Sequence, residues 1–327
     1  MNTNKATSAL LESLLGVLLL GAMLPVNGCS INSSAALPDD VQHVYVTLTS
    51  SIVVFPLTAS GNVAPATTIS GADTGLNDAH RLAFDSSGNM YVTNLRGNSV
   101  TVYAAGASGD ATPTATISGG NTGLDQPSGI ALDAHNNIYV SSEGGSSVTV
   151  YAAGASGNAT PTATISGANT LLNDPNGVAL DTQGNIYVAN EGSNSVTVYS
   201  AGAAGNVTPV VTISGGNTGL NLVHALALDA HNNIYVTNGG SNSVTIYVAG
   251  ANGNATPAAT ITGAATGLDN PNGIALDNQG NIYVGNANAG TLTIYAANSN
   301  GNVAPTATIS GASTGLSTGT IHGVTVH

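Results

Sequence analysis

The sequence predicts an all-β fold: a six-bladed β-propeller of four-stranded blades, closed where the C-terminal strand joins the N-terminal blade. Three observations carry that prediction. One stretch of 48 residues recurs, with Tyr91, Tyr139, Tyr187, Tyr235 and Tyr283 at that interval and Tyr45 standing 46 residues ahead of Tyr91. Pro65, Pro113, Pro161, Pro209, Pro257 and Pro305 keep the same 48-residue interval, which makes six copies. Each copy divides into four short runs rich in β-branched residues and separated by turn residues, the pattern of a propeller blade. The third observation is phase. The first copy opens at its second strand, HVYVTLT (43–49), and the sequence ends with a lone first strand, HGVTV (322–326). A β-solenoid has no use for that offset. A ring does, because the last strand completes the blade that the first residues leave with three, and closure removes the open ends a stack must cap.

Along the chain, Leu14 to Val26 is an uncharged apolar run of 13 residues after Lys5. That length suits a signal peptide and is too short to span a bilayer comfortably. The run ends in VNGC, and Cys29 is the sole cysteine. This resembles the bacterial lipobox, which implies cleavage before Cys29 and its lipidation. Residues 1–28 are therefore expected to be a lipoprotein signal peptide and 29–41 a lipid-anchored tether. The propeller is expected over 42–327. The resemblance implies a place in the bacterial cell envelope, on the outer membrane or cell surface.

Within the copy at 177–215, strands are predicted at GVALD (177–181), NIYVAN (185–190), SVTVYSAG (195–202) and PVVTISG (209–215). In the first turn Asp181 is placed to cap and Gly184 to take a positive φ. Asp85, Asp133, Asp181, Asp229 and Asp277 recur there, so they read as turn caps and not as ligands. The recurrent proline lacks an N–H to donate, which predicts that the fourth strand is outermost.

Composition narrows the function. Hydrophobic residues make up 42% and charged residues 6%, so the chain folds and is not disordered. The net charge is −13, and without the leader only Arg81 and Arg96 carry fixed positive charge. Nucleic acid is therefore not an expected partner, and membrane contact is expected only through the lipid. The expected partners are a protein, a glycan or a small molecule.

The pattern P-N-G-[IV]-A-L-D-x-x-G-N-I-Y-V-x-N…N-S-V resembles the NHL repeat family, and the resemblance covers nearly all of the expected propeller. It implies a propeller fold. Related propellers include binding modules, lyases and lactonases, so the resemblance leaves activity open.

Function must then be sought where the copies differ. The residue just before each first strand faces the axis at one mouth of a propeller. Those residues are His322, His80, Ser128, Asn176, His224 and Asn272. The histidine copies read TIHG, DAHR and LVHA and lack the proline of QPSG, DPNG and NPNG. Three imidazoles with an open position make a zinc pattern. The peptide-amidating lyase propellers hold zinc with three axial histidines, and His80, His224 and His322 look like that set. Gluconolactonase-like propellers hold a divalent cation with Asn and carboxylates at these positions, and Asn176 and Asn272 look like part of that set, which points to calcium. No acid falls on the six positions. Glu143 and Glu191, equivalent to each other in adjacent copies, are candidate general bases on the same face. Arg81, Arg96 and Ser128 are candidate ligand contacts there. His135 and His231 belong to the repeated DAHNN turn on the opposite face, and His43 and His327 stand at strand ends with no partner in sight. Two functions are expected to compete: a displayed binding or scaffolding propeller, and a metal-dependent lyase or hydrolase using the histidine mouth.

Overall fold

The computed structural model describes residues 42–327; the signal peptide, Cys29 and the tether expected over 1–41 lie outside the described residues. The chain runs β1 (His43–Leu48), β2 (Ser51–Pro56) and β3 (Thr67–Ser70); β4 (Ala79–Phe84), β5 (Met90–Asn94), β6 (Ser99–Tyr103) and β7 (Ala115–Ser118); β8 (Pro127–Leu132), β9 (Ile138–Ser142), β10 (Ser147–Tyr151) and β11 (Ala163–Ile165). It continues through β12 (Pro175–Leu180), β13 (Ile186–Asn190), β14 (Ser195–Tyr199) and β15 (Val211–Ile213); β16 (Val223–Leu228), β17 (Ile234–Asn238), β18 (Ser243–Tyr247) and β19 (Ala259–Thr262); β20 (Pro271–Leu276), β21 (Ile282–Asn286), β22 (Thr291–Tyr295) and β23 (Ala307–Ile309); and β24 (Ile321–Val326). These form six four-stranded antiparallel sheets, the first of them in the order β24-β1-β2-β3. The structure is thus the six-bladed propeller, with blade 1 shared between the two ends.

Closure is made by antiparallel pairing from Val44↔Val326 to Leu48↔Ile321, with a bulge at His322 between Thr47 and Leu48. His43 N–H donates to His327 O at 2.7 Å and His327 N–H returns a bond to His43 O at 3.0 Å. The His327 ring also has a partner that its sequence position did not reveal: it stacks on Phe84, centroids 3.9 Å apart.

The first strand of every blade packs against the first strand of the next, from β4 round to β24 and back to β4. Apolar clusters straddle each seam. Tyr91, Val100, Val102 and Ile117 of blade 2 pack with Ile130, Ile138, Val140 and Tyr151 of blade 3. Tyr103, Tyr151, Tyr199, Tyr247 and Tyr295 are fully buried. Their hydroxyls donate to Thr74, Thr122, Thr170, Thr218 and Thr266 carbonyls at 2.5–2.7 Å, so each of these five buried hydroxyls is paired.

The rim has its own latch. Gly109 bridges Ile69 of the preceding blade, and Gly157, Gly205, Gly253 and Gly301 repeat the bridge; Gly61 makes the last one to Ile309, across the closing seam. The residue after each glycine, Asp110 or an Asn, accepts a backbone N–H of that preceding blade through its side chain, as Asn158 does from Asn121 at 2.8 Å. The proline stands two residues ahead of the fourth strand and not at its first residue, because the first amide of that segment to bond inward, Thr114 N–H to Val102 O, already follows Pro113. The aspartates cap the turns: Asp181 Oδ1 accepts from Gln183 and Asn185 amides at 3.0 and 2.8 Å.

Deleting Gly319–His327 removes fully buried Ile321 and nearly buried Val324 and bares the edge of β1. Two such side chains contribute about 4 kcal/mol, so the melting temperature should fall by roughly ten degrees or more in thermal unfolding. An unchanged midpoint would contradict closure by β24.

Candidate functional site

A bulge at the mouth end of each first strand builds the site. Pairing jumps from Ala79 to Leu82, from Pro127 to Ile130, from Pro175 to Gly177, from Val223 to Leu226 and from Pro271 to Gly273. Bulges re-aim side chains, and here they free His80, Ser128, Asn176, His224 and Asn272 from the alternation of the strand. A hydroxyl on the second strand holds several of the bulges. Thr93 accepts Arg81 N–H at 3.0 Å and donates to Ser128 O of the next blade at 2.6 Å. Ser141 does the same for Gly129 N–H and Asn176 O, and Thr237 for Ala225 N–H and Asn272 O. Blade 6 carries Gly285 at this position, so His322 O receives no hydroxyl from it.

Arg81 supplies the missing donor. Its Nη1 donates to His322 O. Its Nη2 donates to Asn176 Oδ1 at 2.9 Å, Asn272 Oδ1 at 3.0 Å and Asn272 O at 3.4 Å. The side chain therefore reaches across the axis, and it is buried. Burial pulls its pKa down to about 10, opposed by Glu143 and Glu191, so it stays charged at neutral pH. Below it lies a cavity of about 90 Å³, lined by Leu82, Ile130, Val178, Leu226, Ile274 and Val324, one apolar side chain from each blade, with Arg81 itself in its wall.

Around Arg81 the mouth is a connected polar ring. His80 Nδ1 meets Ser128 Oγ at 3.0 Å, and Ser128 Oγ donates to Asn176 Oδ1 at 3.0 Å. Asn176 Nδ2 donates to Glu191 Oε2 at 2.9 Å, and that oxygen faces His224 Nε2 at 3.9 Å. His224 Nδ1 lies 3.2 Å from Pro271 O. A carbonyl only accepts, so Nδ1 carries the proton and Nε2 presents a lone pair.

The three histidines divide into two groups. His80 and His322 stack nearly parallel, centroids 4.4 Å apart, while His224 turns to Glu191. Asp78, which the sequence reading passed over, joins the first pair: His322 Nε2 lies 3.4 Å from Asp78 Oδ1. One ligand atom each from Asp78, His80 and His322 falls within 4.8 Å of the others. Burial holds His80 well below the usual 6.5, helped by His322, Arg81 and His224. Burial likewise takes His322 down to about 4 against the pull of Asp78, and lowers His224 against that of Glu191. All three rings are neutral at pH 7, the form that ligates metal. Arg96 lies outside the ring, 76% exposed, its Nε 3.1 Å from Asp78 Oδ2.

Glu143 is the strained acid of the site. Its Oε1 is buried with no hydrogen-bond partner among the described residues, as is Arg81 Nε. Burial raises its carboxyl from 4.5 to about 6; Ser128 and Arg81 pull down, and Glu191 and Asp174 push up.

The divalent cation implied by the gluconolactonase resemblance does not fit this axis. The oxygens that would hold it, those of Asn176 and Asn272 and the His322 carbonyl, already bind a guanidinium. The two-histidine, one-carboxylate group does offer a zinc donor set, with Asp78 where His224 was expected. Zinc there requires one ring of the stack to turn, because the lone pairs of near-parallel rings run in separate planes.

A folded pKa above the unfolded value means that the native state holds its proton more tightly. Glu143 thus favours folding below about pH 4.5 and loses that contribution as pH rises through about 6. Glu143→Gln, which cannot ionise, should gain stability relative to the wild type across that window and hold a constant gain above it in denaturant titrations. Parallel stability curves would contradict a buried, ionising Glu143.

Comparison with known proteins gives the chain its place. Three solved structures share the fold. A Bacteroides caccae protein of unknown function matches at 10% identity over 88% of this chain and 99% of its own, TM-score 0.64. A chain of a nidogen/laminin complex matches at 18% identity over 87% and 98%, TM-score 0.61. A Lactobacillus plantarum protein matches at 16% identity over 88% and 99%, TM-score 0.60. At such identities the likeness is one of fold alone. No curated protein matches the chain. A family described as lactonase, 7-bladed beta-propeller, matches residues 177–315, although this ring has six blades. The family described as SMP-30/Gluconolactonase/LRE-like region matches residues 22–218, more than half of the sequence, and the chain belongs to that family.

Proposed function

We propose that the protein is an NHL-like propeller lipoprotein of the bacterial envelope that binds a small hydroxyl- or amine-bearing ligand at the mouth lined by Glu143 and Glu191. The observation that carries this reading is the buried, unpartnered Oε1 of Glu143. An acceptor removed from water without a donor costs free energy that a donor on a ligand recovers. Glu191, held by Asn176, offers a second acceptor beside it. Arg81 spends its Nη donors inside the protein, so an anionic ligand finds little to pair with, and the −13 net charge repels it. A neutral polyol, an amino sugar or a basic group suits the mouth better. Ser128 and Asn176 supply orientation.

Thermal-shift screening of the full chain should show stabilisation by amino sugars or oligosaccharides and none by sugar phosphates. Hydrogen bonds to a charged acceptor are worth about 1.5–3 kcal/mol, so Glu143→Gln should weaken a hit roughly 10- to 150-fold. Binding that is indifferent to Glu143→Gln, or confined to anions, would overturn the reading.

A second reading rests on the Asp78–His80–His322 group. Zinc held there with a position open would polarise a bound water or carbonyl, with His224 Nε2 or Glu143 as the base of a hydrolase or lyase. The same screen separates the two readings: zinc should stabilise the wild type at neutral pH and less in acid, and His322→Ala should abolish the effect while His224→Ala leaves it.

Anchoring belongs to the proposal. In this reading attachment is through a lipid on Cys29, the sole cysteine, at the end of the apolar run. Cys29→Ser should yield soluble or uncut protein in cell fractions. An unmodified Cys29 in the intact mass of the mature wild type would refute lipidation.

A further inference from the structure

We propose that the Arg81 guanidinium is a built-in substitute for an axial metal ion, and that truncating it opens an oxygen-lined site for a hard divalent cation such as calcium. Four oxygens from three blades converge on this one side chain: Asn176 Oδ1, Asn272 Oδ1, Asn272 O and His322 O. They are neutral amide and carbonyl oxygens, donors that calcium accepts readily, and Glu143 and Glu191 supply negative charge within electrostatic reach. Such a set is an unusual surrounding for arginine, which is more often paired with a carboxylate fork.

The repeat shows that the arginine is an addition. Its equivalents are Gly129, Gly177, Ala225, Gly273 and Gly323. A small residue is thus what this backbone position accepts everywhere else, and Arg81→Ala copies blade 5. The arginine also repairs a local defect. His322 O lacks the second-strand hydroxyl that serves Ser128 O, Asn176 O and Asn272 O, and Arg81 Nη1 takes that place. A cation that is part of the chain cannot be lost to a chelator, and it stays charged through the whole physiological pH range. The axis of this propeller is therefore permanently loaded. The axial oxygens are separate from the Glu143 carboxylate and from the Asp78–His80–His322 group, while Asn176 also holds Glu191.

The test is calorimetric titration of the full chain with calcium, paired with thermal unfolding in calcium and in chelator. The wild type and Arg81→Lys should take up no calcium at the mouth and should melt alike in both. Arg81→Ala should melt lower in chelator and bind one calcium with a dissociation constant of roughly 10⁻⁴–10⁻³ M, the range of loosely built oxygen sites. At about 10 mM calcium its melting temperature should recover by a few degrees. Adding Asn176→Ala to Arg81→Ala should abolish the gain, which places the ion on the axis. Stoichiometric calcium in the wild type that is lost in Asn176→Ala would overturn the proposal. So would an Arg81→Ala protein that folds without binding calcium, or one that stays unfolded in calcium and chelator alike.

Discussion

Six first strands approach one axis so closely that side chains have almost no room between them, and the rest of the molecule follows from that constraint. A Cβ on Gly129 would stand 2.6 Å from Asn176 O, and one on Gly273 would stand 2.6 Å from Val324 N. Glycine is required there by contact across the seam and not by an unusual φ. With small residues in five of the six places, each first strand packs on the next and one apolar side chain per blade lines the narrow channel below. The bulge just above lifts the following side chains out of the strand pattern and turns them to the mouth. Tight packing and polar function are therefore stacked along one axis, a few residues apart.

That arrangement explains why the mouth behaves as an electrostatic unit. Arg81 lies in the middle, Glu143 and Glu191 act on it through their charge from blades 3 and 4, and the imidazoles lie around it. Burial acts on all of them, but with opposite consequences: it keeps the histidines neutral and makes Glu143 reluctant to ionise. The ordinary order of proton affinity is thereby inverted: Glu143, at about 6, holds its proton more tightly than His322, at about 4.

The fold was legible because periodicity is a property of the chain itself. The 48-residue interval, the four runs per copy and the offset of the ends together left one closed arrangement, and the sheet order β24-β1-β2-β3 is that arrangement. The histidines were legible because they break the repeat. Their grouping was not. Whether His224 meets His80 or Glu191 depends on ring rotations set by Pro271 O and by a carboxylate from another blade. Asp78 was hidden because its turn position is polar in most copies, so an acid there did not stand out. The destination of Arg81 depends on four glycines and an alanine elsewhere in the ring, information spread over the whole sequence. The rim latch was visible as a recurring Gly-Asn pair, but a pair of turn residues reads as a local turn until the neighbouring blade is known.

Blade 1 has a consequence for the timing of folding. Val44 waits for Val326, so a nascent chain can pair β1 with β2 but leaves the other edge of β1 open until residues 321–326 have been made. Contacts between the far ends of a chain are slow to form, and strands left unpaired meanwhile can pair with the wrong copy or with another molecule. Six near-identical repeats make such mispairing especially easy, since β24 resembles five other first strands.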